Sequence, residues 1–219
     1  VYVNLPNDEV AKQIVDRGCL IRIIVEVWGE GLNHEECLKQ VMDERCVKKE
    51  KIDDTINMVN STKFMIAASG KKYAQEDKID LMKKYQSLFK GKEKVDPKNP
   101  DFVIWILEEW EYMPEMKDPN WNPNEDKLES PKKCFIGKQI EADGKGYDQR
   151  HPSFFLKYEL QNRCVLGPTT LDNELSFIMA NMASVKQGDI CLEPFIGTGG
   201  LAIAATACGG WVIGSDIDP

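Results

Sequence analysis

Apolar positions along this chain fall into short blocks of two kinds, β-branched runs and helical stripes, and the two alternate. Val1-Tyr2-Val3-Asn4-Leu5 reads as a strand. Asn7 is placed to cap a helix carrying Val10, Ile14 and Val15 on one face, with Gly18 placed to end it. Leu20 to Trp28 reads as a β-branched strand, with Gly29 and Gly31 as its turn, and a short helix follows around Glu35 to Met42. After a polar stretch, Lys63 to Ala68 predicts a strand. Ile79, Met82, Tyr85 and Phe89 predict one face of a helix, and Phe102 to Trp110 a further strand. Strands interleaved with single helices in this way predict small α+β modules of the ferredoxin-like kind.

The pattern breaks from Tyr112 to Pro131, where four prolines stand among Asp, Glu and Asn, as in a loop or linker. Cys134 to Ile140 predicts one more strand, ending at Gly144 and Gly146, and a domain boundary is expected between Tyr147 and Leu166. Beyond it, Leu171, Leu175, Ile178, Met179 and Met182 form a helical stripe assigned to core packing, with Thr169 or Thr170 as candidate cap. A short strand, Ile190-Cys191-Leu192, leads into Glu193-Pro194-Phe195-Ile196-Gly197-Thr198-Gly199-Gly200-Leu201. The helix Ala202 to Cys208, the strand Trp211 to Gly214 and Asp216 complete the run.

Composition narrows the class. In 219 residues, 42% hydrophobic content allows a buried core, and no apolar run reaches the ~18 residues of a membrane-spanning helix. No basic, apolar, small-residue start marks a signal peptide. The seven cysteines lack any CxxC pair, so they read as buried thiols of a reducing compartment rather than disulfides or a metal site. No metal ligand is assigned. A parallel sheet needs both faces covered, so a chain ending just after Trp211 to Gly214 reads as a fragment.

Net charge is −8, but it is uneven: −4 over 1–60, +5 over 61–98, −7 over 99–131 and −2 over 132–219. Polyanion binding therefore has only the lysine-rich 61–98 stretch to draw on, and such a run is more often a solvated helix face.

The chemistry lies near the C-terminus. Strand, glycine loop, helix, strand and acid form the first half of a nucleotide-binding βαβ unit, and Gly197 to Ala202 satisfies the dinucleotide fingerprint, with Asp216 spaced to take ribose hydroxyls. A dinucleotide aims its pyrophosphate at the helix start, where Glu193 would repel it. A carboxylate there suits the positive groups of S-adenosylmethionine, or serves as a partner of the helix dipole. The methyl donor is favoured over NAD.

The strings Gly167-Pro168-Thr169-Thr170-Leu171-Asp172, Leu175 to Asn181, Glu193 to Leu201 and Gly214-Ser215-Asp216-Ile217-Asp218 closely resemble the catalytic subunit of the tRNA guanosine-10 N2-methyltransferase family. Leu5 to Glu9 and Glu26 to Gly31 resemble its N-terminal ferredoxin-like domain. Lys63 to Ile66, Phe102 to Ile104 and Leu107-Glu108 resemble its RNA-binding THUMP domain. Glu193 departs from the Asp common there, and the Tyr112 to Pro131 loop is elongated.

The resemblance implies three regions: a ferredoxin-like part at 1–60, a THUMP-like part at 61–150 with the acidic loop 112–131, and the start of a Rossmann-like methyltransferase domain at 151–219. It implies that Glu193, Phe195, Gly197, Thr198 and Gly199 form the methionine-side loop, that Asp216 grips the ribose and that Ile217 packs on adenine. Thr169, Thr170 and Leu171 match the segment that seats the methionine end. It further implies tRNA as substrate, a small zinc-containing activator as partner and a cytoplasmic setting. Lys71, Lys72, Lys83 and Lys84 are the candidate RNA contacts.

Transfer to an exocyclic guanine nitrogen needs a group that removes or polarises the amine protons, beside a shelf for the base. The family uses an Asp/Asn-Pro-Pro-aromatic string, and these 219 residues contain none, so no catalytic residue is assigned here. The alternative is a non-catalytic RNA-binding adaptor with a vestigial methyltransferase end.

Overall fold

The computed structural model describes residues 1–46, 48–58, 60–69, 71–89, 94–110, 130–142, 154–164 and 170–217. They form two compact units, one of residues 25–140 and one that joins 1–24 to 141–219. The acidic loop 112–131, for all but its last two residues, and residues 147–153 and 165–166 of the expected boundary lie outside the described residues.

The 25–140 unit is built on a five-stranded mixed sheet. Its strands are β1 (Ile23–Gly31), β2 (Ser61–Ser69), β3 (Lys94–Val95), β4 (Phe102–Glu109) and β5 (Lys133–Ala142), in the order β1-β5-β4-β2-β3. β2 runs parallel to β3 and β4, and β5 runs antiparallel to β4, with Phe64 opposite Ile104 and Ile106 opposite Ile136. This single sheet takes β1 from residues 1–60 and its other strands from 61–150, so the structure has no break at residue 60.

Helices α2 (His34–Met42), α3 (Lys49–Asn57) and α4 (Gln75–Tyr85) contribute Cys37, Val41, Ile52, Ile56, Leu81 and Tyr85 to the core, with Phe102, Ile104 and Ile106 of β4. Asn33 caps α2 by accepting from the Glu36 amide at 2.9 Å. Two expectations are corrected here. Gly29 and Gly31 lie within β1, not in a turn. On α4 the buried side chains are Leu81 and Tyr85, continued by Leu88 and Phe89 of a 3-10 turn, whereas Ile79 is exposed. The Tyr85 hydroxyl lies 2.7 Å from His34 Nδ1, which fixes the helix rotation.

Strand alternation carries a carboxylate into this core. Glu108 follows Ile104 and Ile106 at two-residue spacing on the same face and is buried. Its Oε2 accepts from the Tyr73 hydroxyl at 2.7 Å and from Trp110 Nε1 at 2.6 Å. Its Oε1 lies 2.9 Å from His34 Nε2, an ion-pair contact not aligned as a hydrogen bond. Burial disfavours the charged imidazole, but contacts with Cys134 and Glu108 outweigh it and raise the His34 pKa from 6.5 to about 9. Cys134, pushed up by Cys37 and by burial, stays a thiol at neutral pH, so Glu108 supplies the charge. Burial also works against the Glu108 carboxylate, and the His34 ion-pair contact with the Tyr73 and Trp110 donors overcomes it, holding its pKa below the usual 4.5.

The second unit contains α1 (Asp8–Arg17), α5 (Asn173–Met182), β6 (Ile190–Glu193), α6 (Gly200–Ala207) and β7 (Trp211–Gly214), with 3-10 turns at Phe154–Tyr158 and Leu160–Asn162. Phe155, Phe177, Ala180, Val185, Ala204, Ala205 and Cys19 form its core. α1 belongs here rather than with the sheet that follows it. Arg17 donates from Nε to Asn181 Oδ1 at 2.8 Å and from Nη2 to the Val185 carbonyl, and Asn181 Nδ2 donates to the Arg17 carbonyl at 2.9 Å. Asn7 caps α1 and Gly18 ends it, both as expected.

Residues 1–5 form no strand; Val1, Tyr2 and Val3 are exposed, and β-branched character alone does not hold a strand without ladder partners. The α5 stripe is also corrected. Leu171, Leu175, Met179 and Met182 are exposed, Met182 by 81%, and the buried side chains are Ser176, Phe177 and Ala180. The core that α5 joins is filled by Phe177, packed against Phe154 and Tyr158 at ring-centroid distances of 4.9 and 5.2 Å, together with Ala180 and with Ala204 and Ala205 of α6. Ser176 is satisfied locally, its hydroxyl donating to the Asp172 carbonyl at 2.9 Å.

The Glu108–His34 pair sets a pH window for stability. A raised imidazole stabilises fully below pH 6.5 and loses its contribution as pH rises through about 9. The depressed carboxylate stabilises fully above pH 4.5 and loses its contribution in acid. Urea midpoints should therefore fall between pH 6.5 and 9.5, and His34→Gln should remove most of that decline. An equal decline in the variant would show that other groups cause it.

Candidate functional site

β6 and β7 are parallel, with Glu193 opposite Gly214, and their pairing continues past the strand ends. Ser215 N donates to the Glu193 carbonyl at 3.0 Å, Ile196 N donates to the Ser215 carbonyl at 3.0 Å, and Ser215 Oγ donates to the Pro194 carbonyl at 3.1 Å. The glycine loop is thus laid against the segment that carries Asp216. Gly214 makes room for it: a Cβ there would meet Ile196 Cδ1 at 2.2 Å and Ile196 Cβ at 2.9 Å. At the other end of the loop, Gly199 is the N-cap of α6 with φ +78°, in the left-handed region that favours glycine. The helix starts at Gly200, two residues ahead of the expected Ala202.

The structure brings most of the candidate site residues together. The Asp216 carboxylate closes the loop: Oδ2 accepts from the Gly197 amide at 2.6 Å and Oδ1 from the Ile217 amide at 2.8 Å. Glu193 Oε1 accepts from the Phe195 amide at 3.2 Å, so this acid also braces the loop start. Thr170 and Thr198 meet hydroxyl to hydroxyl at 2.8 Å, joining the segment before α5 to the loop. Neither threonine caps α5; Asp172 does, accepting from the Leu175 amide at 3.1 Å. Phe195 and Ile217 are exposed apolar side chains at the rim, 84% and 101% accessible, and Leu171 is exposed beside the pair of threonines. Thr169 lies outside the described residues.

Two acids at the carboxyl ends of adjacent parallel strands, with a glycine loop between them, make the crevice in which open α/β sheets bind their ligands. In this structure Asp216 holds the loop. The ribose role implied for it needs the same carboxylate to face outward as well, and a carboxylate has lone pairs for both.

Two groups that the motif reading passed over come close to this loop. Arg163 Nη1 lies 3.6 Å from the place a Cβ of Gly200 would take, and Lys157 lines the same cleft. No motif marks either residue, because only the fold brings the 157–163 turns to α6. In the sheet unit, the His34–Glu108 network was signalled only by the alternation that put Glu108 in phase with Ile104 and Ile106.

The four candidate lysines separate. Lys71 is engaged, its Nζ 3.8 Å from the Trp110 ring centroid and 4.8 Å from that of Tyr73. Lys83 pairs with Asp80 at 2.9 Å on the surface of α4. Lys72 and Lys84 are exposed.

With this geometry in place, similarity to known proteins can be read. A family described as Tmrp11 THUMP N-terminal domain matches residues 1–145. The chain belongs to that family. A second family, RMKL-like methyltransferase domain, matches residues 161–214, the stretch that holds the glycine loop. The tRNA (guanine(10)-N(2))-methyltransferase TRMT11 of Rattus norvegicus is 34% identical over 217 residues, which is 99% of this chain and 42% of that protein. The TRMT11 of Dictyostelium discoideum is 31% identical over 222 residues, 100% of this chain and 41% of that protein. The crystal structure of TrmN from Thermus thermophilus superposes with a TM-score of 0.49 at 15% identity, covering 100% of this chain and 54% of that one.

The chain therefore spans about two fifths of the length of the curated relatives it matches. The THUMP match begins at residue 1, yet residues 1–24 pack in the unit that contains the methyltransferase-domain segment. All seven cysteines are thiols, and among the described residues no helix is long and apolar enough to cross a membrane.

Loss of the Asp216 carboxylate should loosen the loop before any ligand is considered. In Asp216→Ala the Gly197 amide should exchange with solvent roughly tenfold faster or more, as loss of a charge-assisted hydrogen bond predicts. Hydrogen exchange followed by NMR measures it, and unchanged protection at Gly197 would assign the loop's order to Glu193 and Ser215 instead.

Proposed function

We propose that this chain is the tRNA-docking and donor-binding part of an enzyme that transfers a methyl group from S-adenosylmethionine to the exocyclic N2 of guanosine in tRNA, at position 10. The observation that carries the reading is the Asp216–Gly197 closure beneath a Glu193-led glycine loop, within a segment matched to a methyltransferase domain. The relatives named tRNA (guanine(10)-N(2))-methyltransferase supply the substrate. On this reading Glu193, Phe195, Gly197, Thr198 and Gly199 cradle the methionine end with Thr169, Thr170 and Leu171. Asp216 takes the ribose hydroxyls and Ile217 covers the adenine. Phe195 and Ile217 support it by standing exposed where a flat apolar ligand would cover them.

The acceptor chemistry needs an Asp/Asn-Pro-Pro-aromatic string, absent from these 219 residues. The chain alone is accordingly expected to transfer no methyl group, whereas the full-length protein should. Labelled methyl incorporated at a tRNA guanosine by the full-length protein tests the activity. The rival adaptor reading predicts tRNA binding without incorporation. The same reading expects a small zinc-containing activator to co-purify with the full-length protein, and a cytoplasmic location.

Cofactor choice is measured directly. Calorimetry on the full-length protein should show S-adenosylmethionine binding and no NAD binding. Asp216→Ala should weaken donor binding by about 1.5–3 kcal/mol, or roughly tenfold to over a hundredfold. Unchanged affinity would remove Asp216 from the donor site.

Docking of tRNA is proposed to rest on the 61–98 stretch, with Lys72 and Lys84 as the phosphate contacts; Lys71 and Lys83 are held by Trp110 and Asp80. Neutralising Lys72 and Lys84 together should flatten the plot of log affinity against log salt by roughly two units, about one for each phosphate contact. A slope equal to the parent's would leave these lysines as a solvated face.

A further inference from the structure

A cleft of about 350 Å³ opens beside the first turn of α6, lined by Lys157, Asn162, Arg163, Cys164 and Thr198 among others. Two of its lining residues are cations and none is an acid. Arg163 is fixed in it, donating from Nε to the Tyr158 carbonyl at 2.9 Å. Its Nη1 is buried and has no hydrogen-bond partner among the described residues. A Cβ on Gly200 would sit 3.6 Å from that nitrogen, 3.6 Å from Thr170 Cγ2 and 3.5 Å from the Leu171 carbonyl oxygen. The guanidinium is therefore pressed against the point where the glycine loop, the helix start and the Thr170 segment converge. Lys157 Nζ lies 4.7 Å from the centroid of the Tyr158 ring, whose backbone carbonyl anchors Arg163.

A guanidinium that is partly desolvated and has no counter-ion among the described residues is held at a cost, and an arriving anion relieves it. Its planar fork matches a carboxylate, two oxygens to two N–H groups. Charge changes sign along the loop: Glu193 and Asp216 bond its start, at Phe195 and Gly197, and Arg163 meets its end, at Gly200. A zwitterion fits that order, with its positive groups toward the acids and its carboxylate toward the cations.

We infer that Arg163, assisted by Lys157, is the subsite for the α-carboxylate of the donor's amino-acid end, and so selects donors that keep this group. The inference rests on the donor reading of the glycine loop given above. Arg163 would hold the carboxylate end of the donor while Asp216 holds the loop.

The test uses the full-length protein and two ligands that differ in one group, S-adenosylmethionine and its decarboxylated analogue. Calorimetry should give the parent at least about tenfold tighter binding of the carboxylate-bearing donor, as expected for a charge-assisted pair. Arg163→Gln should lose that advantage and leave affinity for the decarboxylated analogue within about twofold, while Arg163→Lys should keep part of it. A parent that binds both ligands equally overturns the assignment without recourse to a variant. So does an Arg163→Gln protein that loses affinity for both ligands in equal measure, which marks a structural role. A parent that binds neither ligand overturns the donor reading itself and this inference with it, whereas donor binding indifferent to Arg163 overturns only the inference.

Discussion

A carboxylate in the core face of a central strand must be neutralised where it stands, and the 25–140 unit is arranged around that requirement. β4 places Glu108 in phase with Ile104 and Ile106. The groups that answer it come from separate parts of the sequence: His34 from the start of α2, Tyr73 from the segment before α4, and Trp110 from the end of β4. His34 in turn reaches Tyr85 at the end of α4, so one buried charge fixes where two helices meet the sheet. An apolar residue at 108 would pack without such demands. A buried network of this kind specifies an arrangement more firmly than it stabilises one.

The loop unit uses acids differently. Asp216 and Glu193 are near the surface and bond backbone amides of the loop between them, so the polypeptide itself is the first ligand of both carboxylates. The loop is shaped in advance by its own hydrogen bonds, and a loop so ordered loses less entropy when it binds a ligand. The contact of Thr170 with Thr198 extends that order to the segment before α5.

Most of this site was legible because its chemistry is local. Strand, glycine loop, helix, strand and acid occur within 30 residues, and each step leaves its own sign in the sequence. Core assignments were less legible where a helix offered two apolar faces. On α5 the Leu and Met stripe has the right spacing, but the buried face is the one that carries Phe177, which packs against Phe154 and Tyr158, with Ser176 and Ala180 beside it. On α4 the hydroxyl of Tyr85 set the rotation that turned Ile79 outward. Helix α3 was passed over because only Ile52 and Ile56 mark its buried face. Arg163 could not be found at all: its significance is its distance from Gly200, and nothing in the intervening 36 residues records that distance.

The clasp between Arg17 and Asn181 joins residues 164 positions apart. In topological terms the sheet unit is an insertion within the unit that carries the glycine loop. During synthesis, residues 25–140 are complete before the partner of α1 has been made, and domains generally fold as units, the N-terminal ones first. Arg17 at the end of α1 must then wait for Asn181 until α5 emerges. The clasp therefore stays open for the time needed to translate about 160 codons, at ribosomal speeds roughly 10 to 30 seconds. A protein wired in this way closes the unit that carries the glycine loop last, after its sheet unit is complete.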